Sequence, residues 1–279
     1  MTRPLVVAAL AVLAIASVTS VGAQPIPPYV TAAVNDDHRP AADRMRDVNR
    51  KPAESIAFAG VKPGDKVVDF LAGGGYFTRI LSKVVGPQGH VYATAPVIAA
   101  PMGNMPMGNM PMPNMPQQGA MPMQNMPMPG MAQRGMEDPL REITTDPAYA
   151  NVSEVIQPTS QLKVIEPVDV VWTSQNYHDL HNPGSLHADD MAAFNKSVFD
   201  ALKPGGVFLV IDYAAVPGTG FTQSPALHRA DPEAEKAEIL KAGFVFEGES
   251  KILARANDPH TMRAHEQDDQ FMFRFRKPR

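Results

Sequence analysis

The sequence predicts a doubly wound α/β fold: a seven-stranded mixed sheet, helices on both faces, and an antiparallel hairpin at one edge. Three observations lead there. Residues 66–95 read as strand, glycine turn, helix and strand, the opening βαβ unit of such a sheet. The second half of the chain resumes the alternation of short apolar runs with amphipathic segments. Two late strands then follow one another with no helical pattern between them, which suits an edge hairpin.

Taken in order, Pro52 to Gly60 is a short helix, with proline in its first turn and glycine just past its end. Lys62-Pro63-Gly64-Asp65 is a turn. Lys66 to Leu71 (KVVDFL) is the short apolar run of a buried parallel strand. After Gly73, Gly74 and Gly75, the residues Phe77, Ile80, Leu81 and Val84 fall at i, i+3, i+4 and i+7, so a helix begins there. Gly86 to Gly89 ends it, and His90 to Ala95 is the second strand.

Pro167 to Thr173 (PVDVVWT) is another buried strand. Asp189 to Leu202 is a helix with Met191, Phe194, Val198 and Leu202 on one face. Lys203 to Gly206 turns the chain into the strand Val207 to Asp212. Asp231 caps a helix that starts at Pro232 and stops at Gly243. Phe244 to Ser250 and Gln270 to Arg276 are the late strands. In the second, Phe271, Phe273 and Phe275 alternate with Met272, Arg274 and Arg276, the pattern of a half-exposed strand.

The 279 residues, 44% hydrophobic and 19% charged, suit one domain with extensions. A formal charge of −4 offers no basic face for nucleic acid. The absence of cysteine excludes disulfides, thiolate metal sites and a cysteine nucleophile. Residues 1–23 read as a signal peptide: Arg3, the apolar run Leu5 to Val18, and Val21-Gly22-Ala23 before a cut at Gln24. The run is short for a spanning helix, the alternative reading. The mature protein is therefore expected to be periplasmic or secreted, with no membrane contact after cleavage. Residues 24–44 form a Pro-rich leader without a core pattern, and the domain proper occupies 45–97 and 147–279.

Between these parts, residues 98–146 form an insertion rich in Met and Pro. Twelve methionines lie between 101 and 136, and Asn-Met-Pro-Met recurs at 104, 109 and 125. Prolines every few residues forbid helix and ladder, so the tract is expected to be extended or disordered. Thioethers are soft ligands that suit Cu(I). Met102, Met105, Met107, Met110, Met112, Met115, Met121, Met123, Met126 and Met128 are spaced so that neighbouring sulfurs can share an ion. A low-complexity linker explains the same composition, and the two readings stand side by side.

The stretch VVDFLAGGGYFTRIL (67–81) resembles motif I of class I S-adenosylmethionine (SAM)-dependent methyltransferases, and LKPGGVFLVIDY (202–213) resembles their fifth strand. Gly73-Gly74-Gly75-Tyr76, Asn176-Tyr177-His178-Asp179, His228-Arg229 and FMFRFRKP together are similar to a group of bacterial, often exported, predicted methyltransferases. The resemblance covers roughly residues 45–97 and 147–279. It implies a Rossmann-like fold, SAM as cofactor, and Asp69, Gly73, Gly74, Gly75 and Tyr76 around the methionine part of SAM. Two positions depart from the pattern. Leu71 stands where the family usually has glycine, and the second strand ends at Ala95 without the usual ribose-binding acid.

Residues just past a strand's carboxyl end line the crevice of an open α/β sheet, which singles out Ser174 to Asn182. There His178 is the candidate general base, removing a proton from a small-molecule acceptor, with Asn176 and Tyr177 orienting the substrate. The alternative is that these side chains cap a helix and bond loop backbone. His178 and His181 could share a metal, though no third ligand is evident. His228 and Arg229 could close the site. The functional expectation is methyl transfer from SAM to a small molecule; the alternative is an exported binding protein of the same fold, without activity, that holds Cu(I).

Overall fold

The computed structural model describes residues 25–97, 139–184, 187–188 and 190–279. The expected signal peptide and the candidate methionine ligands Met102 to Met128 lie outside the described residues.

Three helices lead into the sheet: α1 (Pro28–Val34), α2 (Ala41–Arg50) and α3 (Pro52–Ala59). Then come β1 (Lys66–Phe70), α4 (Tyr76–Val85), β2 (His90–Pro96), α5 (Pro139–Thr145), β3 (Val152–Gln157) and β4 (Val168–Ser174). A 3₁₀ turn at Tyr177–His181 precedes α6 (Met191–Ala201) and β5 (Leu202–Tyr213). The chain ends with α7 (Ser224–Leu227), α8 (Pro232–Leu240), β6 (Val245–Ser250) and β7 (Gln270–Arg276). The seven strands lie in the order β3-β2-β1-β4-β5-β7-β6. β1 pairs in parallel with β2 and β4, and β4 with β5, while β7 runs antiparallel between β5 and β6.

Alternation along each strand sends side chains to two cores. Val67, Trp172, Leu209 and Met272 pack with Val30, Ile56, Ile80 and Leu81 on the face covered by α1, α3 and α4. Val68, Phe70, Val171, Phe208 and Phe273 pack with Phe194, Val198 and Ile239 on the face covered by α6 and α8. Each such side chain, fully buried, contributes about 1.5–3 kcal/mol of transfer free energy. The expected helix stops are in place: Gly60 caps α3 at φ 76°, and Asp231 accepts the amide of Glu233 at the start of α8.

Four local expectations are corrected. The leader 24–44 joins the core: α1 buries Val30 completely, because its two short apolar side chains find the surface of α4. The insertion ends sooner than residue 146, since α5 buries Leu140 and Ile143 against the fold. Lys203 to Gly206 run on as part of β5, with a register irregularity opposite Val168–Val170. β7 is interior and buried on both faces, with Met272 in one core and the phenylalanines in the other. Only its arginines reach out, to Glu247 on β6. β3 had no sequence assignment; its Ser153, Glu154 and exposed Ile156 break the apolar pattern of an interior strand.

The leader is pinned by Arg39, which is 1% exposed. Its guanidinium donates to both carboxylate oxygens of Asp47 at 2.9 and 2.6 Å and to the Val34 carbonyl. Arg39→Ala should lower unfolding free energy by about 2 kcal/mol in urea titration. That is less than the roughly 3–5 kcal/mol of a fully buried pair, because Asp47 keeps contact with water. A loss of under about 0.5 kcal/mol would class the bond with surface ion pairs.

Candidate functional site

A cavity of about 220 Å³ opens at the carboxyl ends of β1 and β4. Its floor is the glycine turn with Asp69, Leu71, Gly73 and Gly74, one wall is Ser174, Gln175 and Asn176, and Arg46 and Arg50 of α2 form the roof. A larger hollow of about 410 Å³ lies by the C-terminal end of α4. Its polar groups are already consumed, Ser82 by Asn151 and Lys83 by the Ala148 carbonyl, so it lacks convergent free donors. The cavity over the glycines is the better site.

Its turn is strained where the family pattern and this chain differ. Leu71 adopts φ 52° and Gln175 φ 63°, two of five left-handed non-glycine residues among those described. Leu71 therefore holds the conformation glycine would take freely, at a cost of roughly 1–2 kcal/mol. Fixed partners impose it: the Leu71 amide donates to Thr94 Oγ1 at 2.8 Å, and its carbonyl accepts from Asn176 Nδ2 at 3.0 Å. Backbone strain of this kind concentrates at ligand sites.

Asp69 is buried and accepts the Thr78 hydroxyl at 2.6 Å. Burial pushes its carboxyl up to about 6, against the opposing pull of Thr78 and the Arg50 charge. Gly73 and Gly74 have open space where a side chain would stand, so the backbone is bare to the cavity. Gly75 differs: a Cβ there would collide with Ile143, so this glycine accommodates α5 rather than a ligand. Tyr76 lines the cavity, its hydroxyl donates to Asp47 at 2.6 Å, and the guanidinium groups of Arg39, Arg46 and Arg50 lie within 5.4 Å of its ring centroid.

The proposed catalytic trio does not converge. Asn176 reaches the cavity, but its amide donates to the Phe70 and Leu71 carbonyls, which positions the turn. Tyr177 is buried on the other side, donating to Glu238 at 2.6 Å and accepting from Asn195. His178 is 1% exposed and does not line the cavity. Burial alone would depress its pKa, but Asp212 and Asp179 outweigh that and hold it up at about 10. A pKa raised in this way favours the protonated ring, which suits a general base poorly. Arg229 is fully buried, paired with Asp258 and Asp268, so it anchors a loop instead of closing the site.

Arg46, Arg50 and Asp212 are site residues that no motif in the sequence singles out. Asp212 ends a buried apolar strand just as Asp69 does, which was a usable signal. The i, i+4 arginines sit in a segment with no other functional pattern.

No family model matches the chain, and no curated protein matches it in sequence. Solved structures match in shape. A SAM-dependent methyltransferase from Aquifex aeolicus is 17% identical, covering 84% of this chain and 94% of its own, at TM-score 0.50. A chain of the structure described as the complex between the Haloferax volcanii Trm112 methyltransferase activator and "the putative methyltransferase" is 16% identical, covering 90% of this chain and 98% of its own, at TM-score 0.50. The protein has the class I methyltransferase fold. The same fold is matched by the [4+2]-cyclase SpnF at 13% identity, covering 88% of this chain and 85% of that one, at TM-score 0.50. A fold of this kind thus hosts more than one chemistry, and function has to come from the site.

The buried carboxyl of Asp69 yields a stability prediction. With its folded pKa raised to about 6, the native state keeps a proton that the unfolded chain has released, so stability falls as pH rises from about 4 to 6. Asp69→Asn removes that penalty. The variant should be more stable than wild type at pH 8 by on the order of 2 kcal/mol in denaturant titration. The gap should close near pH 4.

Proposed function

We propose that the protein binds SAM over Gly73 and Gly74 and transfers its methyl group to a small molecule, acting after export from the cytoplasm. The observation that carries this is the pairing of a desolvated carboxylate with bare backbone at one cavity. Among the described residues no cation pairs directly with Asp69, and an ammonium group held there would stabilise its ionised form. Arg46 and Arg50 on the roof share Glu266, their remaining guanidinium N–H groups suit a carboxylate, and glycine backbone at the start of α4 allows close approach. The methionine end of SAM has these groups. When bound, SAM supplies a methyl group made electrophilic by its sulfonium sulfur. The protein's own contribution is to hold and orient: Asp69 on the amine, the arginines on the acid, and Asn176 fixing the turn beneath.

Among the described lining residues Asp69 is the only carboxylate and no histidine is present. An acceptor whose nucleophile needs no enzyme base, such as a thiolate or a free amine, fits this lining. The same lining favours a second reading, that of a SAM-binding protein without turnover, because no acid from β2 awaits the ribose hydroxyls. The Cu(I) part of that reading rests on methionines outside the described residues.

Calorimetric titration with SAM tests the site. Wild type should bind one equivalent, and Gly74→Val, whose side chain enters the cavity without a positive φ to strain it, should weaken binding at least about tenfold with its melting point unchanged. Equal affinity in the variant would remove SAM from this cavity.

Affinity should also depend on pH. Asp69 must be ionised to hold an ammonium, so binding should tighten as pH rises from 5 to 7 and level off above. A flat profile would exclude Asp69 from the contact. Binding without methyl transfer to any thiol or amine acceptor would favour the second reading.

A further inference from the structure

We infer that His178, Asp179 and His228 form a binding site for a divalent transition-metal ion, zinc in the first place, apart from the cavity over the glycines. Three donor atoms converge: His178 Nε2, His228 Nδ1 and Asp179 Oδ1. Each lies 3.2 Å from the other two. Ligands at the ordinary zinc–nitrogen and zinc–oxygen distances, arranged tetrahedrally, stand about 3.3 Å apart. The triangle therefore has the dimensions of three corners of a zinc tetrahedron.

Protons fit this triangle poorly. If both imidazoles donate to Asp179, two N–H groups face each other across the third edge. If His178 donates to His228 instead, the His228 lone pair is used and its edge with the carboxylate is left repulsive. One edge is always unsatisfied. A cation at the centre satisfies all three at once.

The surroundings are those of a metal centre as well. Asp212, fully buried at the end of β5, binds His178 Nδ1 at 2.7 Å and its amide at 2.8 Å, which turns Nε2 toward the triangle. Such a carboxylate behind a ligating histidine fixes its tautomer and raises its basicity. Asn182 Nδ2 donates to Asp179 Oδ1 at 2.9 Å, holding the third ligand. His228 is presented in the left-handed conformation at φ 52°, and the buried Arg229 next to it anchors that backbone.

In sequence, His178 and His181 stand at i, i+3 as the candidate pair. The structure separates them: His181 stacks on Phe221 at 3.5 Å, and the partner is His228, 50 residues along the chain. The loops after β4 and β5 meet at the carboxyl edge of the sheet and bring it there. Two imidazoles and a carboxylate suit zinc or iron(II) and leave further coordination positions for water. The side chain of His228 is 28% exposed, so the site is open on one side.

The test uses the full-length, tag-free protein stripped with chelator and titrated calorimetrically with Zn²⁺. One equivalent should bind, and Co²⁺ in its place should give the visible absorption bands of a four-coordinate site. His228→Gly, which keeps the left-handed backbone freely, should weaken Zn²⁺ binding by more than the roughly 10- to 100-fold that loss of an outer-shell partner costs. Asp179→Asn should do the same and serves if the first variant misfolds. SAM affinity should be unchanged in both, so that failure here and failure of the methyltransferase reading remain separate. No Zn²⁺ binding by wild type would overturn the inference. So would equal affinity in both variants, which would place the ion elsewhere.

Discussion

The site depends on one buried bond, between the carboxylate of Asp212 and His178. A carboxylate with no exposure must be surrounded by donors, and Asp212 has three: the His178 ring, the His178 amide and the Tyr213 amide. Satisfying it draws the loop after β4 down onto the end of β5. That places Asn176, two residues earlier, against the carbonyls of Phe70 and Leu71. The glycine turn is thereby held in its strained form, and the cavity above it follows. The same bond aims Nε2 of His178 at Asp179 and His228.

The roof of the cavity is built separately, from the chain ahead of the sheet. Tyr76 at the start of α4 is ringed by three arginines and bonded to Asp47, which also takes the guanidinium of Arg39. Arg46 and Arg50 meet on Glu266, from the long connection before β7. A helix with no buried side chain of its own is thus fastened by charge and by one aromatic ring. Such a roof is held to the fold by polar contacts more than by apolar burial, so it belongs to the part of the structure that can open at low cost.

Cost and use coincide along this edge. Leu71 and Gln175 hold left-handed backbone, Asp69 holds a desolvated carboxylate, and His228 is forced into the same unfavourable region. Of these residues only Leu71 belongs to one of the two apolar cores; Asp69, Gln175 and His228 stand outside both. Local rules broken together at one place are expected where a site is functional or strained.

The strand–turn–helix rhythm, the two acidic strand ends, the caps at Gly60 and Asp231 and the antiparallel pair were all legible in the sequence, because they depend on periodicity and on residues that act within one turn of the chain. α1 and α5 were not, since Val30, Leu140 and Ile143 are too few to show a period and count only once a partner surface exists. β7 was misjudged on its exposure for the same reason: Met272 looks peripheral until a second core lies over it. Gly75 could not be told from Gly74 in sequence; α5 behind one and open space before the other decide it. The position of His178 after β4 suggests a base, but its bond to Asp212 and its meeting with His228 are facts of three dimensions. The sequence by itself determined which elements form and where the glycine turn falls. Only the tertiary structure decided which side chains share a site, because that depends on distances between residues far apart in the chain.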